Sequence, residues 1–328
     1  MTDDKPSTLT MDRDKIVQEI LRLKRELNAV ILAHNYQPAE IQEIADFVGD
    51  SLELSIQATK VDARVIVFAG VDFMAEQAKI LNPEKIVLIP DRQARCHMAN
   101  MLTVEMIRKF RKDNPKVPIV LYVNSLAACK AEADYVCTSA NVVEVVKRID
   151  SDMVALGPDA NLANYASWRT GKTVIPLPEY GHCYVHKLFR PESVLELKRS
   201  LESQGQKVVF IAHPECDLDV LKIADYVGST SQMLKYVKDV PPGVTVIYAT
   251  EVDMGVRLRK ARPDLNFVPA NPWAYCIYMK QHSLEKILMC LREKRHVVDV
   301  DATVMKRARE AIVRTFELLG LAEHISRR

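Results

Sequence analysis

No CxxC pair, no cysteine–histidine finger spacing and no GxGxxG occurs in the 328 residues. The first two absences exclude a zinc ribbon or a thioredoxin-like redox pair, and the third a Rossmann phosphate turn. Glycine is scarce, with 10 residues against 16 prolines, too few for a low-complexity or fibrous chain. No run of about 18 apolar residues exists, so no membrane-spanning helix is expected. The opening "MTDDKPSTLTMDRDK" lacks the apolar core of a secretion signal, which makes a soluble, cytoplasmic protein the expectation. A marked charge excess is missing too. The net charge is +2, and clusters such as "RLKRE", "RKFRKD" and "LREKR" read as solvated helix faces. Without a basic stripe or an aromatic platform, neither a nucleic acid nor a membrane is expected as partner. The seven cysteines (96, 129, 137, 183, 216, 276 and 290) are odd in number and widely spread. That pattern argues against a disulfide framework and for reduced thiols, some of them binding metal.

What the chain does have is repetition. "ADFVGDS" at 45–51, "ADYVCTS" at 133–139 and "ADYVGST" at 224–230 are near copies. Cys96, Cys183 and Cys276 lie 51, 50 and 52 residues after those starts. Eleven residues before them stand His34, Tyr122 and His213, and nine before stand Tyr36, Asn124 and Glu215. Repeats of about 90 residues are the first feature to settle in such a chain.

Each repeat opens with an amphipathic helix (14–27, 103–113, 193–203). β-branched runs then alternate with helical stretches: "AVILAH", "PIVLYVN" and "KVVFIAH" come first, and "KIVLIP", "TVIPLP" and "NFVPA" lead to the cysteine. Apolar strands alternating with helices predict α/β units with parallel sheets covered on both faces. The fold class follows: three pseudo-symmetric three-layer α/β/α sandwich domains around a central active site. The domains are expected at 1–100, 101–187 and 188–280, with two helices in 281–328 packed on the assembly. Ser51, Ser139 and the Ser229–Thr230 pair are expected to cap the helices that follow the second strands.

Ligands of parallel α/β units bind beyond the carboxyl ends of the strands. Every position in register falls on that edge, so three cysteines and three helix N-termini would meet at one cavity. Three thiolates suit either a zinc ion with a fourth ligand or a cubane iron–sulfur cluster with one iron open to substrate. Converging helix N-termini imply an anionic ligand bearing carboxylate or phosphate groups. His34, Tyr36, Tyr122, Asn124, His213 and Glu215 read as residues facing it, with His186 beside Cys183 joining them. His97 and His182 are weaker ligand candidates at their turns. Cys129, Cys137, Cys216 and Cys290 lack register and read as structural thiols.

At "AHNYQPAEIQEIADFVGDSLEL", "GVDFMAEQAKILNP", "IPDRQARCHMA", "YVNS", "GHCYVH", "HPEC", "ADYVGSTSQM" and "CIYMK" the chain resembles the quinolinate synthase (NadA) family from about residue 14 onward. The resemblance implies a [4Fe–4S] cluster on Cys96, Cys183 and Cys276. It implies condensation of iminoaspartate with dihydroxyacetone phosphate to quinolinate, with loss of phosphate and water, for NAD biosynthesis. An aspartate-oxidising enzyme would supply the iminoaspartate. Glu215, Tyr36, His186 and His213 carry over as catalytic residues. His34, Tyr36, Ser51, Tyr122, Asn124, Ser139, His213, Glu215, Ser229 and Thr230 carry over as substrate contacts. Arg95 stands where glycine is usual, Asn100 where aspartate is usual, and "PDANLANY" lacks the customary Lys and Gly; these departures bear on loop shape, not on the ligands. Two other functions fit the repeats: a different three-cysteine iron–sulfur hydro-lyase acting on a small carboxylate, or a non-catalytic iron–sulfur sensor. The acid–base residues in register argue against the sensor.

Overall fold

A computed structural model describes residues 12–321. The first unit runs α1 (Arg13–Glu26), β1 (Ala29–His34), α2 (Ala39–Ile44), β2 (Phe47–Gly49), α3 (Ser51–Lys60), β3 (Val65–Ala69), α4 (Asp72–Leu81) and β4 (Ile86–Leu88). The second repeats it with α5 (Val104–Asp113), β5 (Ile119–Tyr122), α6 (Ala127–Lys130), β6 (Tyr135–Cys137), α7 (Val142–Arg148), β7 (Met153–Gly157), α8 (Ala160–Thr170) and β8 (Thr173–Pro176). The third comprises α9 (Pro191–Ser203), β9 (Val208–Ala212), α10 (Leu218–Lys222), β10 (Tyr226–Val227), α11 (Thr230–Tyr236), β11 (Thr245–Ala249), α12 (Met254–Ala261) and β12 (Asn266–Pro269). Then come α13 (Leu284–Glu293) and α14 (Ala302–Leu318).

The three sheets share one parallel topology, β2-β1-β3-β4, β6-β5-β7-β8 and β10-β9-β11-β12. The three-domain α/β/α class read from the strand–helix alternation is the one observed. In each sheet the chain reverses direction across the first strand, so the loops after its first and third strands diverge and leave a crevice at their carboxyl ends. The central strands β3, β5 and β11 are buried along their whole length, as parallel strands covered on both faces must be.

The recurring heptapeptide is a clasp. Its aspartate accepts a bond from a first-strand N–H in every unit: Asp46 from Ile31 at 2.7 Å, Asp134 from Ile119 at 2.8 Å and Asp225 from Phe210 at 2.7 Å. The aspartate's own N–H returns a bond to the carbonyl of the same residue. A cation from the opening helix completes the arrangement, with Lys24, Arg111 and Lys198 at 2.8, 3.2 and 3.3 Å. Each clasp thus satisfies a first-strand N–H just before the second strand begins.

The opening helices also close the assembly. α5, α9 and α13 each start eight residues after their cysteine. α13 is therefore the third copy of a repeated link, and it returns to the first unit. Its Ile287, Leu288 and Leu291 are buried with Ile16, Ile20 and Leu23 of α1. α14 instead covers the edge of the second sheet, where Thr315 Oγ1 accepts the Val136 N–H at 2.8 Å. Among the described residues no helix is long and apolar enough to cross a membrane.

Candidate active site

The three carboxyl edges face one cavity with about 810 Å³ of empty space, part of it open to solvent. His34, Tyr36, Ser51, Tyr122, Asn124 and Ser139 line it from the first two units. His186, His213, Glu215 and Thr230 complete the polar wall, and Cys96, Cys183 and Cys276 all reach it. Ser229 is not among the lining residues. Its hydroxyl is spent on the Gln232 N–H in a capping box at the start of α11.

Two of the three expected caps are different in the structure. Asp50, not Ser51, caps α3: its Oδ1 accepts the Glu53 N–H at 2.9 Å, and Glu53 Oε2 accepts the Asp50 N–H at 3.3 Å. Ser51 is the first helical residue. Ser139 lies in a turn, and α7 begins only at Val142, because Asn141 bonds back to the Thr138 N–H at 2.7 Å and delays the helix. Of these three helices, α3 and α11 therefore start at the cavity wall.

The strand-end residues follow one local rule. His34 Nδ1 accepts the Tyr36 N–H at 3.2 Å, and His213 Nδ1 accepts the Glu215 N–H at 3.3 Å. Both rings are then neutral donors through Nε2. Burial, reinforced by Lys280 near His34, pushes that ring's pKa down to about 3. Burial likewise takes His213 down to about 3, against the attraction of Glu215. Burial pushes the Tyr36 and Tyr122 hydroxyls well above the usual tyrosine range, with nearby Glu215 adding to it, so both stay protonated.

Glu215 is the hub. It is 3% exposed, and burial alone would raise its pKa. His186, with Nδ1 at 2.9 Å, overrides that, helped by His213 and the Tyr122 hydroxyl, and holds the carboxyl below its ordinary range. Nδ1 of His186 has no well-aligned hydrogen bond, so this contact rests on proximity. Asn124 Nδ2 donates to Glu215 Oε1 at 3.2 Å, and Asn161 Nδ2 holds the Glu215 carbonyl at 2.9 Å. His186 Nε2 sits 3.0 Å from Thr250 Oγ1, which is 2.6 Å from the Tyr36 hydroxyl. Glu215, His186, Thr250 and Tyr36 thus form one chain of contacts across the cavity.

Each cysteine opens the same turn. The Cys96 thiol accepts the Ala99 N–H, and Cys183 and Cys276 use the equivalent N–H of His186 and Met279. The N–H after each third strand, at Asp72, Ala160 and Val252, fixes the carbonyl two residues before the cysteine at 2.8–2.9 Å. Acidic side chains bind the cysteine N–H twice, Asp72 at 2.9 Å for Cys96 and Glu251 at 3.1 Å for Cys276. Burial raises all three thiols, so their thiolates require a cation. Among the described residues Cys183, His186 and Glu215 offer one group of donor atoms within 4.8 Å of one another.

His97, Tyr184 and Tyr278, one ring from each cysteine loop, stand 6.2–6.4 Å apart at the cavity wall. His182 is half-buried, with Nδ1 on the Tyr180 carbonyl. Cys129, Cys137, Cys216 and Cys290 are buried outside the cavity lining. Arg95 and Asn100 accommodate each other at 2.7 Å, and Asn100 Nδ2 approaches Asp72 Oδ2 at 3.3 Å, where an aspartate would meet like charge. Thr250 carries no signal in the repeat register, whereas Asp72 and Glu251 each stand 27 residues after the start of their heptapeptides, a match that could have marked them.

Against known proteins, the family model "Quinolinate synthetase A protein" matches residues 18–317. Quinolinate synthase of Pyrococcus horikoshii is 52% identical over 303 residues, covering 92% of this chain and 99% of that one. The Thermococcus onnurineus quinolinate synthase is 50% identical over 308 residues, 94% of this chain and all of the relative. That of Thermotoga maritima is 50% identical over 305 residues, 93% of this chain and all of the relative.

Proposed function

Because the chain belongs to the quinolinate synthetase A protein family, we propose that its cavity condenses iminoaspartate with dihydroxyacetone phosphate, releasing phosphate and water. The chain is an enzyme of NAD biosynthesis in this family. The finer reading assigns a [4Fe–4S] cluster to Cys96, Cys183 and Cys276, cytoplasmic action, and an aspartate-oxidising enzyme as source of the labile imine. It also divides the chain at 100/101, 187/188 and 280/281. The observation that carries the site assignment is the convergence of three cysteines in register on the cavity that holds Glu215.

When bound, such a cluster supplies a Lewis-acidic iron with one position open to a substrate oxygen or nitrogen. The chain's own residues do the rest. Neutral His34 and His213, the Tyr36 and Tyr122 hydroxyls, Asn124 and the Ser51, Ser139 and Thr230 hydroxyls are donors, and donors without their own charge suit carboxylate and phosphate oxygens. Ser229 acts behind them by fixing the start of α11.

Glu215 on its own is a weak base, being held below the ordinary carboxylate range. Paired with His186 it becomes competent: the imidazole takes the proton and the carboxylate stabilises the cation. Thr250 extends that pair to Tyr36, so a proton taken on one side of the cavity can be returned on the other. His213, its ring 4.8 Å from that of His186, stays a neutral donor beside them.

A single metal ion on Cys183, His186 and Glu215 is the second reading, favoured by their spacing alone. Glu215 is already bonded to Asn124 and His186 to Thr250, which weighs against it. Anaerobic reconstitution distinguishes the two. About four irons with matching sulfide, and quinolinate from the two substrates, is the expected result. One metal without sulfide would favour the second reading, and no quinolinate from cluster-loaded protein would overturn the substrate assignment.

A further inference from the structure

The fourth residue after each cysteine has the same backbone role. The N–H groups of Asn100, Lys187 and Lys280 donate to the carbonyls of Cys96, Cys183 and Cys276 at 3.1–3.2 Å. Their side chains part company. Asn100 stays within its own unit, on the Cys96 carbonyl at 2.8 Å and near Asp72. Lys187 crosses from the second unit to Asp217 of the third, two residues beyond Glu215. Lys280 crosses from the third unit to the first, where it donates to the Tyr36 carbonyl.

Lys280 is also fixed from behind. Its ammonium lies 2.7 Å from Glu251 Oε1 and 2.8 Å from Asp253 Oδ2, so its three donors are all engaged. Its side chain is 5% exposed and that of Glu251 0%. Glu251 Oε1 in turn accepts the Cys276 N–H. One buried cation therefore holds the cysteine turn of one domain and the strand-end loop of the next.

We propose that Lys280 is a positioning residue that couples the Cys276 turn to the substrate contact Tyr36, with Lys187 its counterpart between the Cys183 turn and the Glu215 loop. This rests on the reading above, in which Cys276 binds the cluster and Tyr36 meets substrate. Lys280 does not line the cavity, so it acts through Tyr36. Misplacing a substrate contact by about 1 Å is enough to cost about 10²-fold in rate. At the first-to-second interface the equivalent residue does not cross, because the Asn100 side chain remains in its own unit; there the buried Lys130 of the second unit donates to Gln77 of the first at 2.8 Å instead.

Lys280→Met alone would strand two carboxylates, so the informative variant is Lys280→Met/Glu251→Gln, with Lys280→Arg as the conservative comparison. Lys187→Met, at a half-exposed pair, provides a second test at a site less coupled to folding. Iron and sulfide are measured first, then the Kd of malate as a dicarboxylate probe, then kcat and KM. The double variant is expected to weaken malate about tenfold relative to wild type at matched iron content, the scale of one lost charge-assisted bond. Its kcat should fall by about 10²-fold. Lys280→Arg should recover most of both, and Lys187→Met should show a smaller loss of the same kind. Wild-type malate affinity and turnover in the double variant and in Lys187→Met would overturn the proposal. So would a defect confined to iron content, with malate affinity equal to that of iron-free wild type. Absence of turnover in the wild type would instead count against the proposed reaction, while malate affinity would still read the clamp.

Discussion

At the scale of single residues, the site works by withholding charge. His34 and His213 sit at equivalent strand ends with their rings acidified by burial to about 3, and burial takes His282 to about 4 at its bond to the Gly70 carbonyl. The unfolded chain binds those protons near pH 6.5, so it holds more of them as pH falls. Stability present above pH 6.5 should therefore drain away toward the folded values, by about 1.4 kcal/mol per pH unit for each ring. The melting temperature of the metal-free protein is expected to drop between pH 7 and pH 5, above the range where Glu215 titrates in either state. His282→Gln, away from the cavity, should flatten that slope by about one third, one ring of the three. A melting temperature independent of pH there would contradict the neutral-histidine account. Glu215→Gln tests the proton chain: cluster content and malate binding should be retained while turnover falls by about 10²–10⁴-fold. Near-normal turnover would move the proton chemistry to Tyr36 or a histidine. The register made His34, Tyr36, Tyr122, Asn124, His213 and Glu215 visible in the sequence. Thr250 was not, because its partners Tyr36 and His186 are 214 and 64 residues away.

At the scale of elements, the strands were legible because burial on both faces leaves unbroken β-branched runs. "AVILAH" is β1 residue for residue. Helix starts were less so. A serine after a strand satisfies the capping pattern, yet Asp50 competes successfully at α3 and an Asn141 turn postpones α7. α14 was legible as a helix but not in its placement, which rests on buried Ala308, Ala311, Ile312 and Phe316 and on polar contacts from Thr315, Arg307 and Arg314 beside the β6 edge. Thr315→Val, nearly isosteric, strands the buried Val136 N–H. It should cost about 1–3 kcal/mol in denaturant unfolding with the slope unchanged; a loss under 0.5 kcal/mol, within the ordinary surface range, would mean that α14 does not guard that edge. The cysteine loops depend on close backbone packing. A Cβ on Gly181 would stand 1.8 Å from the Pro158 carbonyl oxygen. Gly181→Ala should therefore displace the Cys183 turn, lowering both melting temperature and iron content. Full iron loading in that variant would show that the turn adjusts freely.

At the scale of the whole molecule, three copies of one α/β unit turn their carboxyl edges inward, so that every repeat position of chemical interest meets at one cavity. The 88- and 91-residue offsets predicted this, since equivalent positions in pseudo-symmetric domains must face a common axis. What the offsets could not convey is the closure of the ring, in which α13 returns to the first unit and Lys280 reaches Tyr36. On the proposed function, the three cysteines in register hold one cluster required for making quinolinate. The most direct measurement is iron, sulfide and quinolinate formation in anaerobically reconstituted Cys96→Ala, Cys183→Ala, Cys276→Ala and Cys290→Ala proteins, each checked for a native far-ultraviolet spectrum. The first three should lose the cluster and turnover together, while Cys290→Ala keeps about four irons per chain and its activity. A full, active cluster in any of the first three, or its loss in folded Cys290→Ala, would contradict the claim.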